Sequence, residues 1–101
     1  MKLIKAIVEP QMADRAVNAL SGLKGLHYVA VSQVTCMSEH ARSHNPDVNS
    51  HLEAMVPDEM VEQVISIIEE KTRTGRGGDG HIFVIDIEKT VCVRSGDRDE
   101  S

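Results

Sequence analysis

Thr74-Gly75-Arg76-Gly77-Gly78-Asp79-Gly80 places four glycines within six residues, between an aliphatic run of helical period and the β-branched run that starts at His81. Glycine tolerates positive φ and lets a bound group come close to backbone N–H donors. Such donors suit phosphate, and Arg73 and Arg76 add cationic charge to the same mouth. A tight connection between helix and strand would use the same glycines. No Gly-Lys-Ser/Thr ending follows, as a P-loop requires, and the loop leaves a helix where a dinucleotide fold would leave a strand. The stretch is a phosphate-loop candidate, and the rest of the chain must decide it.

Outward from the loop, the elements read in order. Leu3 to Val8 alternates aliphatic residues with lysine and reads as a strand with one buried face, closed by Pro10. Met12, Ala16, Ala19, Leu20 and Leu23 fall at helical spacing over Gln11 to Leu23, and Gly22 and Gly25 end that helix. Tyr28 to Met37 carries the β-branched residues of a second strand. Ser38 to Asn49 is polar, contains Asn45-Pro46-Asp47 and reads as a long exposed loop. His51 to Val56 is a short strand, and Pro57-Asp58-Glu59 opens a helix with proline and acids in its first turn. After the glycines, His81 to Ile87 is a strand and Thr90 to Arg94 a shorter one, so residues 1–94 form one domain and 95–101 a charged, mobile tail. Strand, helix, strand, strand, helix, strand is the α+β, ferredoxin-like β-α-β-β-α-β sandwich, an antiparallel sheet with two helices on one face. Its other face stays open, and packing against copies of itself would bury it.

A length of 101 residues bounds the answer to a single layered core, and with one Phe, one Tyr and no Trp that core is aliphatic. The net charge of -5 argues against general affinity for nucleic acid or anionic membrane, so any anion site is local. No apolar run approaches the roughly 20 residues of a membrane span, and the N-terminus lacks a signal-peptide pattern, which points to a cytoplasmic protein without membrane insertion. Two cysteines, Cys36 and Cys92, make no disulfide framework. Nothing assembles a nucleophile with a base and an orienting group, so no catalytic residue is expected.

Lys2-Leu3-Ile4-Lys5-Ala6-Ile7-Val8-Glu9-Pro10, Val56-Pro57-Asp58, the glycine loop running on into His81-Ile82-Phe83-Val84, and Arg94-Ser95-Gly96 together resemble the PII signal-transduction proteins over nearly the whole chain. The resemblance implies a homotrimer that binds an adenine nucleotide in the clefts between subunits, as an effector and not a covalent cofactor. It implies that Thr74, Gly75, Arg76, Gly77, Gly78, Asp79, Gly80 and His81 wrap the phosphates. It likewise sets Ile7, Cys36, Met37, Ser38 and Met55 in the cleft, and brings Cys92 and Arg94 from the neighbouring subunit. Through the loop 38–49 such a protein would control a partner, a membrane transporter or a metabolic enzyme.

Three departures from the family pattern shape the expectation. The loop's closing lysine is His81, which depends on pH for any charge. The first of two phosphate-directed arginines is Cys92, and only Arg94 remains, which shifts preference toward ADP or AMP over ATP. The loop after the second strand is shortened and lacks the tyrosine of uridylylated members, while the position of the glutamine that helps hold magnesium and 2-oxoglutarate falls near His40. Such a loop is similar to PII-like branches tied to bicarbonate uptake or metal efflux. His40, His44 and His51, near Cys36 and Met37, also gather metal-capable side chains, with His40 and His44 as the candidate ligands. That leaves an alternative: a trimeric metal-binding or metal-tolerance protein of the same fold.

Overall fold

The computed structural model describes residues 1–26, 28–36, 47–75 and 80–100. The chain runs β1 (Lys2–Val8), α1 (Pro10–Ser21), β2 (Tyr28–Cys36), β3 (Asp47–Val56), a 3-10 turn (Asp58–Met60), α2 (Val61–Thr72), β4 (His81–Asp86), β5 (Lys89–Val91) and β6 (Arg98–Glu100). The first four strands make an antiparallel sheet in the order β2-β3-β1-β4, and β5-β6 is a separate two-stranded sheet. This is the expected ferredoxin-like α+β arrangement.

Alternation along β1 buries Ile4, Ala6 and Val8, and β3 answers with Leu52, Ala54 and Val56 on the same side. Ala13, Ala16 and Leu20 of α1 and Val64 and Ile68 of α2, spaced one helical turn apart, close that side into the core. Pro10 takes the first position of α1, where its missing N–H costs nothing, so it opens the helix as well as ending the strand. α1 stops at Gly22, a little before the last apolar residue of its period, whereas α2 runs past its last apolar residue, Ile68, to Thr72, whose hydroxyl donates to the Ile68 carbonyl at 2.7 Å.

Two segments differ from their reading in the sequence. Asp47, Val48 and Asn49, read as the end of a loop, instead begin β3 and pair with Cys36, Thr35 and Val34. Cys92 to Arg94, read as the end of a strand, lie in a turn, and Arg98–Glu100, read as mobile tail, return along Lys89–Val91. In that turn the Gly96 N–H donates to the Cys92 carbonyl at 2.7 Å and the Cys92 N–H to the Asp97 carbonyl at 2.8 Å. No helix among the described residues is long and apolar enough to cross a membrane.

Candidate functional site

Register partners in an antiparallel sheet share a face, so the face away from the helices reads as rows across all four strands. Tyr28, Met55, Leu3 and Ile85 form an apolar row near the end where β5 follows. Ala30, Glu53, Lys5 and Phe83 form the middle row, and Ser32, His51, Ile7 and His81 the row nearest the glycine loop. The middle is polar and internally paired. Lys5 Nζ and His51 Nε2 lie 3.8 and 3.9 Å from Glu53 Oε1, and His51 Nδ1 lies 3.4 Å from the Ser32 hydroxyl. Tyr28, Phe83 and Ile85 stay exposed on this face of the single chain.

At the glycine-loop end the backbone geometry is tightly specified. Gly75 and Gly80 have φ of 81° and 101°, conformations open to glycine and strained for other residues. A Cβ on Gly80 would fall 1.8 Å from the Ile7 carbonyl oxygen, so the loop can rejoin the sheet beside β1 only through glycine. His81 follows, exposed, with its ring 6.2 Å from that of Phe83. On the open face beside this end lies a cavity of about 270 Å³ lined by Lys5, Ile7, Val34, Cys36, His51 and Phe83. On the helix face a second cavity of about 300 Å³ reaches Gly80 and His81 between Glu69, Thr72 and Arg73 of α2 and its exit. There Arg73 is committed to Glu69 at 2.7 Å, which leaves the open-face cavity as the better receptacle for an uncharged ring.

Of the expected site residues, Ile7 and Cys36 meet in the open-face cavity, and Gly80 and His81 stand at its end of the sheet. Met55 does not join them. It pairs with Leu3, four residues along β1 from Ile7, or roughly 13 Å at strand rise. Cys92 and Arg94 sit on the β5-β6 hairpin, which begins beyond Asp86, five residues and roughly 17 Å along β4 from His81. Met37, Ser38, Arg76, Gly77, Gly78, Asp79 and the candidate metal ligands His40 and His44 lie outside the described residues. Among the described residues no three His, Cys, Asp or Glu side chains gather as metal ligands. Lys5, Val34 and Phe83 line the cavity without having been singled out in the sequence; same-face spacing with Ile7, Cys36 and His81 was the signal that could have found them.

Electrostatics mark two other places. The Cys92 thiol is held below its usual range by the Ser95 hydroxyl first, then by the N–H groups of Ser95 and Arg94. The terminal ammonium of Met1 lies 2.5 Å from Asp58 and holds that carboxylate below its usual range, while Lys2, bonded to Asp86, is raised.

The family model described as nitrogen regulatory protein P-II matches residues 1–97. The chain is 33% identical to the nitrogen regulatory protein P-II of Haemophilus influenzae, over 99% of this chain and 97% of that protein. It is 30% identical to the nitrogen regulatory protein GlnK of Escherichia coli K12, over 100% and 98%. With the P-II protein of Bradyrhizobium diazoefficiens the identity is 32%, over 96% and 95%.

Proposed function

Because this chain belongs to the nitrogen regulatory protein P-II family and is thus a regulatory signal transducer and not an enzyme, we propose that it senses an adenine nucleotide in clefts between the copies of a homotrimer. The observation that carries the proposal is the separation of the expected site residues. Ile7, Cys36, Gly80 and His81 stand at one end of the sheet and Met55 at the other, while Cys92 and Arg94 lie on the separate hairpin that follows β4 from the Met55 end. A single nucleotide reaches both groups only if one copy's loop end meets the next copy's hairpin end. A repeated head-to-tail contact of that kind closes into a ring. It also covers the exposed Tyr28, Phe83 and Ile85 of the open face.

In such a cleft the backbone donors beside Gly75 and Gly80 take the phosphates, the aliphatic wall of Ile7 and Val34 takes the base, and Arg94 of the neighbouring copy supplies the remaining cation. His81 and Cys92 stand where stronger cations would favour a third phosphate, so ADP or AMP binds at least as well as ATP near pH 8. The bound nucleotide acts through the residues between Cys36, which lines the cavity and ends β2, and Asp47, where β3 begins. Differential affinity for two arrangements of that segment would alter contact with a transporter or metabolic enzyme. Its shortness favours a partner of the bicarbonate- or metal-transport kind over control by uridylylation. Calorimetric titration of the purified protein with ATP, ADP and AMP tests the reading, and absence of heat with all three would refute it.

A further inference from the structure

The chain carries two thiols, and the fold holds them far apart. Cys36 ends β2, half-buried in the wall of the open-face cavity. Cys92 stands exposed in the turn of the β5-β6 hairpin. The row of Cys36 and Asp47 and the row of Val56, Lys2 and Asp86 are nine residues of β3 apart, or roughly 30 Å at strand rise. β2 and β4 also form opposite edges of the sheet, three strand spacings or about 14 Å apart. Cys92 follows Asp86 by six residues, which span at most about 22 Å even when fully extended. Whatever course the hairpin takes, at least about 10 Å separates the two Cα atoms of one copy, beyond the roughly 7 Å that a disulfide bridges. The two thiols can meet only across a contact between copies.

We propose that Cys36 of one copy and Cys92 of the next are joined as a disulfide by a hydroperoxide, closing the cleft between them to nucleotide. The inference rests on the ring proposed above, in which one copy's cavity end meets the next copy's hairpin, and it adds an oxidised state to that ring. Each copy gives Cys36 to one neighbour and Cys92 to the other, so three equal bonds link all three chains. Cys92 reacts first, being exposed and having its thiol held below the usual range by Ser95. Its thiolate attacks the peroxide, the O–O bond breaks, and a sulfenic acid remains on Cys92 while the released hydroxide takes up the thiol proton as water. The Cys36 sulfur then displaces the sulfenic hydroxyl, which departs with the Cys36 proton as a second water. Two thiols have lost two electrons and two protons, and one hydrogen peroxide has become two waters. The bonded Cβ atoms stand about 3.8 Å apart, which leaves no room for a base or a phosphate between them.

The test treats the purified protein with hydrogen peroxide, blocks remaining thiols with N-ethylmaleimide and separates the chains by denaturing electrophoresis without reductant. A three-chain band should form and return to one chain with dithiothreitol, and mass spectrometry should find the Cys36 peptide joined to the Cys92 peptide. Cys36→Ser and Cys92→Ser, with one thiol per copy, should link no more than two chains. In calorimetry the oxidised trimer should bind ADP at least about tenfold more weakly than the reduced one and recover on reduction. Saturating ADP should in turn slow the linking. A trimer by light scattering whose oxidised form yields no Cys36–Cys92 peptide overturns the bond and leaves the ring standing. A linked trimer that binds ADP like the reduced one overturns the closure of the cleft. A monomer by scattering overturns the ring, and the bond with it.

Discussion

Single residues carry the sharpest consequences. Gly80 combines a φ of 101° with a carbonyl oxygen where its Cβ would lie. Gly80→Ala should therefore cost more than about 2 kcal/mol of stability in a denaturant melt, well beyond an ordinary surface substitution. Cys92 presents an exposed thiol whose anion accepts from the Ser95 hydroxyl. It should react with iodoacetamide at neutral pH faster than half-buried Cys36, and Ser95→Ala should slow it; equal rates in both proteins would remove the hydroxyl from the account. Asp58 has its acidity strengthened by the terminal ammonium. A depressed carboxylate adds stability above the unfolded pKa of about 4 and loses it as pH falls through the lower folded value. The stability difference between the parent and Asp58→Asn should accordingly be present at pH 7 and vanish by about pH 2. The resemblance sets a lysine where this chain has His81. His81→Lys should raise the affinity for ATP relative to ADP about tenfold in calorimetry, and an unchanged ratio would remove His81 from the phosphate site.

At the scale of elements, legibility followed apolar alternation. β1 was plain because Ile4, Ala6 and Val8 face the core while Lys5 marks the other side, and β4 because Ile82-Phe83-Val84-Ile85 is a continuous apolar run after the glycines. The start of β3 was hidden because Asp47 and Asn49 are poor strand formers in isolation; pairing with Val34 to Cys36 overrides their preference. β6 was hidden for a related reason, since Arg98-Asp99-Glu100 has no apolar face to display and only its register with Lys89–Val91 makes it a strand. A two-stranded hairpin alone is marginal in water, and this one leaves Val93 97% exposed. Its stability and purpose both point to a neighbouring copy. Ending the chain after Ile87 should leave the helical circular dichroism and the melting of the sandwich nearly intact, while lowering affinity for every phosphorylated ligand at least tenfold through loss of Arg94. A chain that kept its affinity without the hairpin would place the phosphate cations elsewhere.

For the whole molecule, the sequence announced an open sheet face but not which end of one copy meets which end of the next. Periodicity assigns a residue to a face; only register places it along the strand. That is why Ile7 and Met55 could be gathered into one site by resemblance and yet stand four residues apart in a single chain. Scattering should give a mass about three times the 11.1 kDa of one chain, but mass alone leaves the site's location open. Mixing two damaged copies locates it. His81→Glu and Arg94→Ala should each weaken ADP at least tenfold as pure proteins. Co-expressed, they form assemblies in which an intact loop from the Arg94→Ala copy can face an intact hairpin from the His81→Glu copy. The account predicts that calorimetry of the mixture recovers a fraction of sites with the parent's affinity for ADP. Recovery of none, with mixed assemblies demonstrated by mass, would contradict it and return the nucleotide to a site within one chain.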